Sequence, residues 1–505
     1  MNTFLNGLKD ANNFGYTENG AVTHRTSKSA LLDMFALGGA YRNRSDEDCI
    51  LLFKNAFEED EVYALKCLFY LRDVRGGQGE RRFFRVCMKW AANTYTDAVR
   101  RNLIHVPEFG RWDDLYVFVG TKLESDAMKI IKDQLSLDVQ CETPSLLAKW
   151  LKSENTSSKE SKRLGGITRE YLGMDHKQYR KTLSILRARI NVLERLMSEN
   201  KWDQIVFDRI PSKAGMKYKN AFARHDIERA KAGVQTYADF AKDETKSVNA
   251  AVLNPVDIAN QIFNRTWGEG ATQTERLMWQ KYWDNLEDYY NGAKVSDLAI
   301  VDVSGSMTGQ PMNAAVSMGA YMAERCKGPF KDHFITFSSN PQLVKFEGVD
   351  VYDKFIRARG ADWGGSTNIE AVFNMMLDVA LRNGVSVEDM PQTLYIFSDM
   401  EFNGCISRGP ISTSRWGMGE PVRGIGEIET LLEGIAKKWA VYGYKLPKVV
   451  FWNLDARTQN IPGLGGRFSY ISGFSMNMVK TILSGKDGYD LMKEKLNEPR
   501  YSVIH

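Results

Sequence analysis

The chain has 505 residues, 43% of them hydrophobic and 26% charged, with a formal net charge of +4. That length is too great for one compact core and implies two or three domains, while the ordinary balance of apolar and charged residues excludes general disorder. No apolar run approaches the roughly 18 residues that span a bilayer, the start of the chain lacks a basic-then-apolar signal, and the six cysteines show no Cys-x-x-Cys spacing, so an unsecreted, cytoplasmic protein without a zinc site or disulfide framework is expected.

From Ser27 to about Tyr290 the apolar pattern is helical nearly throughout. Ala30–Phe35, Ala64–Leu71, Arg81–Ala92 and Leu115–Leu123 each read as amphipathic segments. The run from Tyr179 to Met197 is the clearest, with Leu183, Leu186, Ile190, Leu193 and Met197 at three- and four-residue steps on one stripe. Glycine and proline punctuate the series at Gly76-Gly77-Gln78-Gly79, Pro107–Gly110 and Pro211. A succession of helices joined by short loops predicts an all-α helical-repeat module over residues 1–240. Residues 241–294, with Trp267, Trp279 and Trp283, read as a helical bridge whose indoles pack between domains.

Positive charge gathers in this half. Residues 161–240 hold 17 Lys and Arg against 9 Asp and Glu, a net of +8, so the rest of the chain sums to −4. Arg180, Lys181, Arg187, Lys213, Lys217, Lys219, Arg224 and His225 interleave with Tyr179 and Tyr218, and a second basic run places Arg72, Arg75, Arg81 and Arg82 around the glycine hinge. Cations tracking a phosphate backbone beside stacking aromatics suit unpaired RNA. The same pattern also describes a solvated charged face, and the arginines of the second run could instead pair with Glu58, Glu59, Asp60 and Glu61.

After Ser296 the pattern alternates. Strands are predicted at Leu298–Val303, His333–Phe337, Thr393–Ser398, Lys448–Leu454 and Phe468–Ile471, and helices at Pro311–Cys326, Asn368–Leu381, Ile425–Trp439 and Met476–Leu483. This alternation predicts a mostly parallel, doubly wound α/β sheet over residues 295–505. The first of these strands runs into Asp302-Val303-Ser304-Gly305-Ser306. Gly364-Gly365-Ser366-Thr367-Asn368 offers a hydroxyl on a glycine loop, and Leu394–Ser398 ends at Asp399. Strand carboxyl ends converge in an open α/β sheet, so the oxygen ligands that these three loops offer can meet at one hard divalent cation, with Mg²⁺ favoured by all-oxygen ligands. The plainer alternative is that Asp302 only caps the helix that follows. Glu401, two residues beyond Asp399, is expected as a solvated rim residue, with competition as a ligand the alternative. The stretch Asn403–Gly424, with Arg408, Arg415, Trp416 and Arg423, is expected as a mobile loop over the metal, in contact with a partner.

These three segments, in this order and spacing, resemble the metal-ion-dependent adhesion site of a von Willebrand factor A domain. The resemblance implies hydroxyl ligation by Ser304, Ser306 and Thr367, carboxylate ligation by Asp302 and Asp399, and a partner's acidic residue completing the shell. A helical, locally basic half followed by such a domain resembles the Ro autoantigen family, whose helical (TROVE) module is HEAT-like. The likeness is carried also by Leu71-Arg72-Asp73-Val74-Arg75-Gly76-Gly77-Gln78-Gly79-Glu80-Arg81, Ile210–Gly215 and Arg224-His225-Asp226. It implies a ribonucleoprotein component that holds small noncoding RNA or the single-stranded ends of misfolded RNA and performs no catalysis. The alternative is a metal-dependent protein-binding scaffold that touches no RNA. Metal-assisted phosphohydrolysis of the haloacid-dehalogenase type needs Asp-x-Asp, and Ser304 stands at the second acidic position.

Overall fold

A computed structural model describes residues 12–265, 270–337, 340–360, 367–404, 430–486 and 488–505. The chain forms a helical module and an α/β domain, but it is not cut between them at a single point. The helical unit comprises Ser45–Glu287, Asp350–Tyr352 and Leu496–His505; the α/β unit comprises the residues before Ser45, Asp288–Val349 and Asp353–Lys495. The boundary expected at 294 lies close to the Glu287–Asp288 division, whereas the one expected at 240 has no counterpart. The segment expected to open the helical module belongs to the sheet, and most of the expected bridge belongs to the helices.

The α/β unit begins with a hairpin of β1 (Phe14–Tyr16) and β2 (Val22–His24), paired antiparallel with Gly15 opposite Thr23. A helix, Ala30–Leu37, follows, capped by the Ser29 hydroxyl on Leu32 N at 3.2 Å. It buries Leu31, Leu32, Met34 and Phe35. Its partner is the last strand of the large sheet, made of β3 (Asp297–Asp302), β4 (His333–Phe337), β5 (Gln342–Lys345), β6 (Thr393–Ser398), β7 (Lys448–Asn453) and β8 (Phe468–Ser472) in the order β5-β4-β3-β6-β7-β8. All pairs are parallel except β4 with β5. Ser472 of β8 donates to Phe35 O at 3.1 Å and accepts from Gly39 N at 2.9 Å. A Cβ on Gly39 would fall 2.6 Å from Ser472 O, so only glycine allows this approach. Covering β8 removes an open sheet edge, which is why a helix remote in sequence joins this unit.

Four of the five predicted strands coincide with observed ones to within a residue at each end, and the fifth, β3, does so as well. The sequence pattern missed β1, β2 and β5, whose three or four residues are too short to show alternation. Helix Gln310–Arg325 lies against β3, where a Cβ on Gly319 would meet Val301 Cγ2 at 2.4 Å. From β3 the chain runs outward through β4 to β5, then crosses back to β6 and runs the other way. The switch in direction falls between β3 and β6, where an open α/β sheet leaves its ligand crevice.

In the helical unit, short polar caps separate the helices. Asp60 ends Asp46–Glu59 and caps Glu61–Arg72 through its carboxylate on Tyr63 N at 3.0 Å. Asp175 and Gln178 form a capping box at the head of His176–Arg189. The expected single helix from Tyr179 to Met197 is two. Asn191, at φ +50°, turns the chain left-handed, Val192 N bonds Arg187 O, and a new helix starts at Leu193. Asparagine tolerates that conformation, and the hydrogen-bond pattern is a Schellman stop.

Candidate metal centre and basic helical faces

Asp302 ends β3 and Ser398 ends β6, which puts both at the switch point. Asp302 is fully buried. Its Oδ1 accepts from Ser304 N at 2.9 Å and its Oδ2 from the Ser398 hydroxyl at 2.5 Å. Ser304 begins a tight turn, Gly305–Met307, that brings its hydroxyl 3.0 Å from that of Ser306. Asp399, 1% exposed, accepts from Glu401 N through Oδ1 at 3.2 Å. Its Oδ2 is buried and has no hydrogen-bond partner among the described residues. Met400 then takes φ +66°, a strained conformation for a side chain of its kind, while its N–H bonds the Ser398 hydroxyl at 3.0 Å. Thr367 is 2% exposed, and its carbonyl accepts from Asn403 N at 2.9 Å, which ties it to the segment just beyond Asp399. Gly364, Gly365 and Ser366 lie outside the described residues, as do residues 405–424 of the loop expected over the metal and Trp267.

The acids of this cluster are buried with little countercharge. Burial pushes the Asp302 carboxyl up, and the neighbouring Asp399 charge pushes it further. Burial likewise raises Asp399, against the Ser306 hydroxyl and the Arg457 charge that pull it down. The groups brought together are the carboxylates of Asp302 and Asp399 and the hydroxyls of Ser304, Ser306 and Ser398, all oxygen, with one buried carboxylate oxygen lacking a donor among the described residues; Thr367 is tied in through its carbonyl on Asn403 N. Those features fit a hard divalent ion. Among the described residues no group of three or more His, Cys, Asp or Glu is arranged for metal, so an ion here would depend on the serines and threonine as much as on the acids.

Sequence reasoning missed three contributors. Ser398 was one residue from a named ligand. Arg457 approaches from the loop after β7, its Nε 3.8 Å from Asp399 Oδ2 and its Nη2 donating to Ser306 O. Glu401, expected at the solvated rim, is instead 1% exposed, accepting from Glu18 N at 2.7 Å, Thr458 Oγ1 at 2.5 Å and Asn460 Nδ2 at 3.0 Å. Burial raises its carboxyl too.

The basic residues separate into two groups. Arg72 is 2% exposed; its Nε and Nη2 bond Asp114 Oδ2 at 2.9 and 2.7 Å. Arg187 donates to Ala148 O, Leu151 O and the Ser153 hydroxyl, at 2.8, 2.9 and 3.0 Å. Lys219, 17% exposed, pairs with Glu275 at 2.8 Å. These three expected RNA contacts are turned into the protein, where Arg72 and Arg187 satisfy buried acceptors and Lys219 a half-buried one. His225 stacks on Trp202 with ring centroids 3.8 Å apart and bonds Glu228, and Arg82 pairs with Asp46 at 2.5 Å. The others face solvent. Arg180 and Lys181 share the outer face of His176–Arg189 with Lys177; Lys213, Lys217 and Arg224 lie along one exposed stripe of Ser212–Arg224; Arg75 and Arg81 are exposed.

The segments that carried the family likeness are structural for the most part. Asp73 is fully buried and accepts from Arg500 Nη2 at 2.8 Å and Tyr501 OH at 3.2 Å. Gly77 admits no Cβ, which would lie 1.8 Å from Tyr70 O, and Gly79 sits at φ +67°. Gly215 leaves room for the Tyr282 hydroxyl, and Asp226 caps the next helix through Tyr237 N and Ala238 N at 2.7 and 3.1 Å.

Fold and site thus define a two-part protein, a helical module joined to an α/β domain with an oxygen-lined cluster at its switch point. The chain belongs to the family described as a domain of unknown function, DUF2828, whose model matches residues 17–163 and 135–289; a second such description, DUF7788, matches 296–502. It is 30% identical over 516 residues to an uncharacterized protein of Acanthamoeba polyphaga mimivirus, an alignment covering 94% of this chain and 85% of that one. The crystal structure of the Deinococcus radiodurans Ro (RSR) protein aligns with a TM-score of 0.40 at 14% identity, over 93% of this chain and 99% of that one.

Proposed function

We propose that this is a Ro-like RNA-binding protein. Its helical unit, HEAT-like in organisation, holds small structured RNA or a single-stranded end on its outward cations. Its α/β unit is a von Willebrand A-type domain that takes a divalent ion, Mg²⁺ by the hardness of its ligands, and performs no reaction. The observation that carries the RNA reading is the exposed stripe Lys213, Lys217 and Arg224, at i, i+4 and i+11 of one helix. Only Lys213 has a carboxylate partner among the described residues, Asp257 at 3.2 Å. Eleven residues of helix span about 16 Å, enough to follow two or three phosphates of a single strand. In the metal site Asp302, Ser304, Ser306, Thr367 and Asp399 would hold the ion, directly or through water. A bound ion would offer an open position to a partner's carboxylate.

The test is fluorescence anisotropy of a hairpin RNA with a single-stranded tail, beside the same hairpin without it, at low and physiological salt. Salt-steep binding that favours the tail is expected. Lys217→Glu with Arg224→Glu should weaken it at least tenfold, and Asp302→Ala should leave it within twofold. A second reading, a metal-dependent protein scaffold without RNA, is favoured by the orphaned Asp399 Oδ2 alone. It gains if no RNA binds at either salt while an acidic peptide binds only with Mg²⁺.

A further inference from the structure

Arg457 stands where the carboxylate cluster needs a cation. Its three nitrogens face three different acceptors of the same unit: Nη2 donates to Ser306 O, Nε lies 3.8 Å from Asp399 Oδ2, and Nη1 lies 3.6 Å from Glu18 Oε2. A separation of 3.8 Å is a charge contact without a hydrogen bond, in agreement with the orphaned state of Asp399 Oδ2. The guanidinium has therefore approached the buried carboxylate without satisfying it. The Asp399 side chain is fully buried, whereas those of Arg457 and Glu18 are 36% and 48% exposed, so the pair on the outer side has room to move.

Glu18 is held at that spot by its backbone. It occupies the turn between β1 and β2, which is fastened to the chain just beyond Asp399. Thr17 Oγ1 donates to Phe402 O at 2.6 Å, Glu18 N to Glu401 Oε2 at 2.7 Å, and Gly404 N to Asn19 O at 3.0 Å. The loop that carries Arg457 is bound to the same point through Thr458 and Asn460 on Glu401. The hairpin, the Asp399 loop and the Arg457 loop thus meet on one buried glutamate.

An ion held by Asp399 would put charge of the same sign as Arg457 beside the same oxygen, and like charges repel strongly wherever water is excluded. Resting on the cation-site reading above, we infer that Arg457 is a built-in competitor for Asp399. It neutralises the site when no ion is bound and is drawn to Glu18 when one enters, so that the Glu18–Arg457 pair sets how tightly the ion is held and couples occupancy to the hairpin.

Titration calorimetry with MgCl2 and MnCl2 on the full chain tests this. Arg457→Met should bind the ion about tenfold more tightly than the unaltered protein, a factor within the usual range for coupled sites. Arg457→Lys, which keeps the charge, should stay near the original affinity. Glu18→Gln, which removes the alternative partner, should weaken binding about threefold, and that effect should shrink when combined with Arg457→Met. Hydrogen exchange of Phe14–His24 should change on adding the ion to the unaltered protein and not to Arg457→Met. An ion affinity unchanged or weaker in Arg457→Met, with binding intact in the unaltered protein, overturns the competitor role and leaves the cation site standing. No binding by either protein removes the site and the inference together. Circular dichroism of each variant identifies any that fails to fold, and Arg457→Lys then decides alone: affinity near the original supports the role and a tenfold gain overturns it.

Discussion

The two units treat buried carboxylates in opposite ways. In the helical unit Asp114, fully buried, is flanked by Arg72 and Arg85, and Asp113 by Arg111, Arg85 and Lys152. Against the cost of burial, bonds from Lys219, the Thr272 backbone and Arg265, with the charge of Lys219, pull Glu275 down to about 2. At the carboxyl end of the sheet the direction reverses. Burial pushes Asp302, Asp399 and Glu401 up, and the one cation beside them among the described residues is the half-exposed Arg457. Paired acids of the first kind hold a fold together. Buried acids short of a neighbouring positive charge are the arrangement on which the proposed ion site rests.

The sharpest way to break that comparison is to remove one acid from each unit. Asp114→Ala leaves two guanidinium groups without their shared partner and should cost ~3–5 kcal/mol in urea unfolding. A loss under ~1 kcal/mol would mean that the Arg72–Asp114 pair is not the strut its burial suggests. Asp399→Asn should behave differently. In EDTA it relieves repulsion with Asp302 and should leave thermal stability equal or higher. With Mg²⁺ at about a hundred times its dissociation constant, the unaltered protein should gain ~2.7 kcal/mol in the α/β unit, and the variant nothing. An equal response of both to Mg²⁺ would place the ion elsewhere.

The cation motif was legible in the sequence because it is local. Asp302, Ser304 and Ser306 lie within five residues, an apolar strand announces the loop that carries Asp399, and a glycine run ahead of a helical stretch marks Thr367. Arg457 and Glu18 were not legible, since nothing in a loop arginine or a hairpin glutamate says which remote carboxylate it will meet. The basic residues were half legible. Charge counting cannot tell an inward cation from an outward one, but the apolar stripe can: Arg72 follows Leu65, Leu68 and Phe69 at i+7, i+4 and i+3, and Lys219 falls between Met216 and Phe222. Those positions mark buried cations needing acceptors. Residues 12–44 were misassigned because an amphipathic helix reads the same whether it covers a helix or a sheet edge.

Between pH 4 and 7 acid should separate the units by the sign of its effect; below that range Glu433 of the α/β unit, which His24 pulls down to about 2, adds a contribution of the same kind as Glu275. Asp297, on the buried β3, is pushed by burial up to about 6, so the folded α/β unit keeps a proton that the unfolded chain releases near its ordinary value of 3.8. Its stability should therefore fall by about 2 kcal/mol as pH rises from 4 to 6 and level off above. Glu275 has its folded value below the ordinary 4.5, so its contribution is complete above that pH and is lost as pH falls towards 2. Domain-specific unfolding followed by hydrogen exchange across pH 3 to 7 reads both slopes. Asp297→Asn should flatten the first and leave the second, and slopes of the same sign in the two units above pH 4 would contradict the contrast.

The smallest expected effect separates two lysines two residues apart. Lys217 is exposed, with its ammonium over the Tyr218 ring, while Lys219 lies between Glu275 and the Trp279 ring. Lys219→Ala removes a half-buried pair and should cost about 1 kcal/mol in urea, because Arg265 remains on Glu275 at 2.7 Å to absorb part of the loss. RNA affinity, measured where the variant is fully folded, should not change. Lys217→Ala should leave stability within ±0.5 kcal/mol and weaken RNA binding by about threefold. Its plot of log affinity against log salt should flatten by about one unit, since one phosphate contact releases about one counterion. If the two lysines exchange these roles, the exposed stripe of Ser212–Arg224 is not the surface that meets RNA, and the outer face of His176–Arg189, with Lys177, Arg180 and Lys181, becomes the next place to cut.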